Sequence, residues 1–206
     1  EKEEDHLPRL EKETQQYLIA GVDEVGKGCL FGPIFAGAVI LSKENELKLL
    51  NQGLKDSKKL NSRQRNTLVP LIKQHSIDWS LGQASSREID TLGIRLATEK
   101  AMVRALEKFS FPPDLIIVDG ILPIRLWRGK QKTQVRGESH YPSIAAASIL
   151  AKEARDELLI RLAREYTFYG LEKNKGYGTE LHRKNLIKVG ITKLHRKSFL
   201  SKLNID

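Results

Sequence analysis

The sequence has a single cysteine, Cys29, among its 206 residues. An intrachain disulfide is therefore impossible, and a structural zinc site built on several cysteines is excluded. A reducing cytoplasm is the expected location. No apolar run approaches the roughly 18–20 residues that a membrane span requires. The longest small-apolar stretch, Ser143–Ala151, is too short and carries two serines, so no membrane partner is expected. The first 16 residues are charged and lack the apolar centre of a secretory signal. Internal repeats and low-complexity tracts are also missing. No G-x-x-x-x-G-K-S/T or G-x-G-x-x-G frame occurs, which leaves ATP or NAD use without support.

What the chain has in excess is positive charge. Lys and Arg number 35 against 26 Asp and Glu, a formal charge of +9. The last 46 residues hold 11 Lys/Arg and 4 Asp/Glu, so seven of the nine excess charges sit there. A basic end of this kind fits either a polyanionic partner, nucleic acid being the commonest, or a solvated lysine-rich face.

Residues 1–16 read as a polar lead-in. Two apolar, β-rich runs follow, Tyr17–Val25 and Ile34–Leu41, joined by a glycine-rich connection. Asn61–His75 has a helical rhythm with Asn61 or Ser62 as its cap. Ile77–Ala84 reads as a strand. Ser85 or Ser86 then caps one helical stretch, and a longer one runs to about Lys108 before Pro112 and Pro113. Leu115–Val118 is a short continuous apolar run, as in a buried central strand. Thr133–Val135 reads as a short strand. Pro142–Tyr166 is the longest helix, apolar nearly all round in its first half and hence buried. Two more helical stretches are expected after Gly176 and Gly178. This pattern predicts an α/β fold, a mixed sheet with helices on its faces. The expected division is a lead-in (1–16), a core (17–166) and a basic helical extension (167–206).

The chemistry concentrates at strand ends. Asp23 and Glu24 close the first strand, and Asp119 closes the buried run Leu115–Val118. Acids at the ends of core strands converge at a sheet edge, where they cannot all stay ionised without a cation. Oxygen donors without a Cys or His cluster point to Mg²⁺ or Mn²⁺. Neighbouring strand residues face opposite sides, so Asp23 and Glu24 share a site only if the chain bends near Gly26. An Asp-Gly pair such as Asp119-Gly120 also fits an ordinary turn. The segment from Gly26 to Gly32 is either a plain connection or a loop that brings backbone N–H groups to a phosphate or sugar beside Lys27. Lys55–Lys59, Lys173–Thr179 and His195–Phe199 are basic segments with interleaved aromatics or hydroxyls, suited to phosphates and bases or simply solvated. His182 reads either as a ligand or shuttle, or as a satisfied helical histidine.

Together these segments resemble the bacterial ribonuclease HII family. The matching pieces are Gly21–Gly28 with Gly32-Pro33, Asp56–Leu60, Val118–Gly120, Ser143–Lys152 with Arg155-Asp156, Lys175–Thr179 with His182, and His195–Phe199. Six pieces in the family's order cover nearly the whole chain. The resemblance implies a ribonuclease-H-like fold with a C-terminal helical extension. It also implies four catalytic, metal-holding acids: Asp23, Glu24, Asp119 and Glu138. The family usually has Asp where Glu138 stands, in a Lys-Gly-Asp segment that here reads Arg136-Gly137-Glu138. The family usually has Arg where Lys27 stands, and its planar fork is absent here. Asp156, farther along the long helix, reads as a structural residue.

The resemblance further implies a substrate-binding set of Gly26, Lys27, Gly28 and Tyr177, which reads the 2′-hydroxyl. The implied activity is metal-dependent endonucleolytic cleavage of the RNA strand in RNA/DNA hybrids, and nicking 5′ of single ribonucleotides in duplex DNA. Two Mg²⁺ or Mn²⁺ ions would serve with substrate bound, leaving 3′-hydroxyl and 5′-phosphate ends. The protein is expected to be a monomer. A ribonuclease HIII-like enzyme is the nearest rival, but that relative usually carries an additional N-terminal domain, and only about 16 residues precede the first strand here. A catalytically silent binding module is the other rival, and the four acids argue against it.

Overall fold

The computed structural model describes residues 16–205; the polar lead-in expected over residues 1–16 lies outside these except for Gln16. The two opening apolar runs form β1 (Ile19–Val25) and β2 (Ile34–Ile40), which pair antiparallel with Ala20 opposite Ile40 and Val25 opposite Phe35. Every residue of β2 is buried, as its continuous apolar character requires. β3 (Asp78–Ala84) pairs antiparallel with β2. β4 (Leu115–Asp119) lies parallel to β1, and β5 (Gln131–Gln134) lies parallel to β4. The sheet order is β3-β2-β1-β4-β5, a mixed sheet as the pattern predicts.

Between the strands run α1 (Lys43–Asn51), a 3₁₀ turn (Ser57–Lys59), α2 (Ser62–His75), α3 (Ser86–Leu92) and α4 (Ile94–Leu106). After β5 come α5 (Gly137–His140), α6 (Pro142–Ala163), α7 (Leu171–Asn174), α8 (Glu180–Val189) and α9 (Lys197–Leu200). Asn61 caps α2 and Ser85 caps α3, each in a reciprocal box with the residue three on, Gln64 and Glu88. The two helical stretches expected between Ser85 and Lys108 are α3 and α4, and they meet at Gly93, whose φ of 83° suits glycine. Of the two stretches expected after Gly176 and Gly178, α8 and α9 are the counterparts; α7 precedes Gly176.

The sheet has a core on each face. Ala20, Val22, Ala36, Ala38, Ile116 and Val118 pack with α3 and α4 on one side. On the other, Val39 packs with α1, α2 and the Ala145–Leu150 turns of α6. α6 lies flush on the strands because two glycines leave room for its backbone. A Cβ on Gly21 would stand 2.4 Å from the Ile144 nitrogen, and one on Gly37 would stand 2.2 Å from the Ala147 oxygen. Backbone cannot retreat as a flexible side chain can, so small residues here fix how near α6 approaches β1. A third cluster joins the chain's end to the connection after β1: Leu30 and Phe31 pack with Leu159, Tyr169, Leu171, Leu186 and Leu200. The C-terminal helices therefore support the Gly26–Pro33 loop directly.

Candidate active site

β1 and β4 are parallel and their pairing runs to Val22 beside Val118. The next residue of each strand is an acid, so Asp23 and Asp119 stand together where the β1–β4 pairing ends. Strand alternation turns Gly21 and Asp23 towards α6, while Ala20 and Val22 face α4. Glu24 falls on the α4 side, yet the β1–β4 pairing has stopped at Val22 and Val118, and both carboxylates line one open cleft of about 340 Å³. Asp119 and Glu138 line it too, with Gly26, Lys27, Gly28 and Tyr177, and with Ser57, Lys58, Ser148 and Lys152. All eight residues singled out for chemistry thus meet in one place. A smaller, more apolar hollow of about 210 Å³ adjoins it, sharing Glu24, Lys27 and Asp119.

Three of the four acids are held by a local device. The Glu24 N–H donates to Asp23 Oδ1 at 2.8 Å. The Gly137 N–H donates to Asp119 Oδ1 at 2.7 Å, and a Cβ on Gly137 would crowd that same oxygen at 2.9 Å. Arg136, at φ 53°, turns the chain into α5, whose second residue is Glu138. Ser57 Oγ donates to Glu138 Oε1 at 2.8 Å and lies 3.1 Å from Ser148 Oγ. Ser57 and Ser148 belong to the family-like segments but carry no sequence signal of this task. Only the fold brings the 3₁₀ turn and α6 to Glu138.

The acids are costly where they stand. Burial raises Asp23 well above the usual carboxylate range, and the charges of Glu24, Asp119 and Glu138 push the same way. Burial also raises Glu24, against the pull of Lys27. Glu138 is raised by burial, with the hydroxyls of Ser148 and Ser57 opposing. Among the described residues no three Asp, Glu, His or Cys side chains already close on one metal-sized point; the acids border the cleft instead. Four oxygen-donor groups whose mutual repulsion raises a carboxyl fit a hard divalent cation and offer a soft one nothing.

His182 lies outside the cleft. It is fully buried, and its Nδ1 stands 2.8 Å from the Tyr177 carbonyl, its Nε2 3.0 Å from Nε2 of His195. The Thr192 N–H donates to His195 Nδ1 at 3.0 Å. That donor fixes the tautomers in sequence: His195 donates from Nε2 to His182, and His182 donates from Nδ1 to the Tyr177 carbonyl. Both rings are neutral and help seat the Tyr177 loop. Burial lowers His182, and burial with the neighbouring ring lowers His195 to about 3. Unfolded histidine titrates near 6.5. The unfolded chain therefore binds the extra proton first, and stability fully present above pH 6.5 is lost as pH falls towards 3. Thermal melts at pH 7 and 5 should show a smaller drop for His195→Gln than for the wild type; equal drops would remove His195 from this account.

Residues 20–202 match the sequence profile of the family described as Ribonuclease HII. Ribonuclease HII of Prochlorococcus marinus strain NATL1A is 80 % identical over 189 residues, covering 92 % of this chain and 97 % of the relative. The crystal structure of ribonuclease H2 from Pyrococcus horikoshii OT3 is similar with a TM-score of 0.76 at 25 % identity, over 90 % of this chain and 96 % of that one. Bst-RNase HIII in complex with Mn²⁺ shares the fold with a TM-score of 0.68 at 24 % identity, over 91 % of this chain and 70 % of that one.

Proposed function

The chain belongs to the ribonuclease HII family, endonucleases that degrade RNA paired with DNA, and from that premise we propose that it also nicks duplex DNA 5′ of single embedded ribonucleotides. The observation that carries the reading is the meeting of four acids with a glycine turn, a lysine and a half-exposed tyrosine in one cleft. Asp23, Glu24, Asp119 and Glu138 would hold two Mg²⁺ or Mn²⁺ ions with substrate bound; the Mn²⁺ complex of the ribonuclease HIII relative supports this choice of metal. When bound, the ions supply the positive charge that favours attack by water on the phosphate and departure of the 3′-oxygen. The protein's part is to place the phosphate and to test the sugar. Asp119 and Glu138 are tied by Gly137 and Ser57, so their oxygens are set before substrate arrives. Lys58 and Lys152 border the cleft and meet the phosphate's charge. The products carry 3′-hydroxyl and 5′-phosphate ends, and the natural setting is removal of ribonucleotides from DNA in the cytoplasm by a monomer.

Gly26, Lys27 and Gly28 with Tyr177 are the reading head for the 2′-hydroxyl. Lys27 and Gly28 are exposed, and a Cβ on Gly28 would meet nothing within 4 Å, so this backbone is open to a sugar. Tyr177 presents its ring between Gly176 and Gly178, 43 % exposed. A buried polar site that loses its partner hydroxyl is left unpaired, which discriminates far more strongly than a methyl-sized fit. Tyr177→Ala should therefore lower turnover on a single embedded ribonucleotide by about 10-fold or more, and lower it less on a long hybrid, where many registers compensate. Steady-state rates on the two duplexes decide this; an equal loss on both would remove Tyr177 from the reading head.

A further inference from the structure

Two arginines that line no part of the cleft stand directly behind the reading head. Arg155 on α6 and Arg196 just before α9 are each fully buried. Among the described residues neither has a carboxylate within ion-pair distance. Their donors go to backbone carbonyls instead. Arg196 donates from Nη2 to Gly26 at 2.8 Å, from Nη1 to Lys27 at 3.0 Å and from Nε to Gly32 at 3.0 Å. Arg155 donates from Nε to Pro33 at 2.9 Å, from Nη2 to Phe31 at 2.9 Å and from Nη1 to Lys175 at 2.6 Å.

We propose that Arg155 and Arg196 are positioning residues for the ribonucleotide test, two buried guanidinium groups that lock the Gly26–Gly28 turn and the Tyr177 loop into one mutual arrangement without touching substrate. The inference rests on the reading-head role proposed above. Arg196 grips the turn itself, at the carbonyls of Gly26 and Lys27. Arg155 bridges the two loops, holding Phe31 and Pro33 on one side and Lys175 on the other. The loops are moulded to these groups. A Cβ on Gly26 would stand 2.3 Å from Arg155 Nε, and one on Gly176 would stand 2.6 Å from the Phe31 oxygen. A direct bond from the Leu30 N–H to the Gly176 carbonyl at 2.8 Å closes the assembly.

A buried charge without a counterion is costly, and well-packed apolar residues often stabilise as well or better than buried ionic groups. Burial lowers Arg196 only to about 10, so it keeps its charge at neutral pH. What an apolar side chain cannot do is fix three carbonyls in divergent directions, which the rigid fork does. Misplacing a reacting group by about 1 Å can cost on the order of 100-fold in rate, so loop placement is where such a clamp acts.

The test uses the full chain with Arg196→Lys and Arg155→Lys, each keeping charge and losing the fork. For each, kcat/KM is measured on a duplex with one ribonucleotide and on a long RNA/DNA hybrid, with folding followed by circular dichroism and duplex affinity followed against salt. The clamp predicts that the single-ribonucleotide to hybrid ratio falls about tenfold in Arg196→Lys, with the salt slope of binding unchanged. A merely structural loss lowers the active fraction equally on both substrates, so an unchanged ratio overturns the proposal. A salt slope reduced by about one contact also overturns it, since Arg196 would then touch phosphate. If Arg196→Lys does not fold, Arg155→Lys carries the same ratio test. Tyr177→Ala measured alongside separates the two layers. A ratio that falls only in Tyr177→Ala overturns the clamp alone, and one unchanged in every variant overturns the reading head and the clamp with it.

Discussion

Asp119→Asn is expected to cut turnover by about 10³-fold or more while leaving duplex affinity within a few-fold. Asn has the size of Asp, and its Oδ1 can still accept the Gly137 N–H, so the junction between β4 and α5 is kept. What goes is the negative charge at the strand end. Affinity survives because phosphate contacts by lysine and arginine carry it. Asp23→Asn should lose turnover similarly, with a second signature. Asp23 is 5 % exposed and its charge is opposed by three neighbouring carboxylates. Removing that charge relieves repulsion, while the Asn Oδ1 still accepts the Glu24 N–H. The variant should melt at or above the wild-type temperature. Near wild-type turnover in either variant would remove that residue from the site, and a large fall in Tm for Asp23→Asn would mean that the carboxylate serves the fold.

Glu138→Gln is expected to lower turnover by about 100-fold, against less than a few-fold for Asp156→Asn. Both acids follow Gly137 within 20 residues, and the choice between them depends on where the chain takes them. Glu138 borders the cleft and accepts from Ser57. Asp156 lies in a different groove, 3.5 Å from Lys152 one turn before it on α6. That pair is a partly buried i,i+4 contact along one helix, outside the cleft's ring of acids. Single-turnover rates at matched folding measure the order, and the reverse order would sink the assignment of the fourth acid to Glu138.

Much of the framework was legible because local patterning and burial agree. β2 and β4 are continuous apolar runs and are buried. The first half of α6 has no polar face because it lies between the sheet and the α1–α2 layer. Asp23, Glu24 and Asp119 were visible because a carboxylate after an apolar strand is conspicuous. α1 escapes the sequence pattern, although Ser42 caps it, since only Leu49 in it is buried while Leu47 and Leu50 are exposed. α5 and α7 are single turns set by left-handed residues at Arg136 and Gly170, too short for any periodicity. The second layer of the site was hidden for another reason. Ser57 reaches Glu138 across 81 residues, and Arg196 reaches Gly26 across 170. Such contacts depend on topology, and nothing in the composition of either segment announces them. His182 looked ambiguous because its partner, His195, lies beyond its own helix.

The most direct test of the central claim is cleavage of a DNA duplex carrying one ribonucleotide, end-labelled and resolved at single-nucleotide length, with Mg²⁺, with Mn²⁺ and with chelator. A single cut is expected on the 5′ side of the ribonucleotide, with a 3′-hydroxyl on one product and a 5′-phosphate on the other, no cutting in chelator, and no cutting of the all-DNA duplex. Equal cleavage of the all-DNA duplex, or cleavage that persists in chelator, would contradict it.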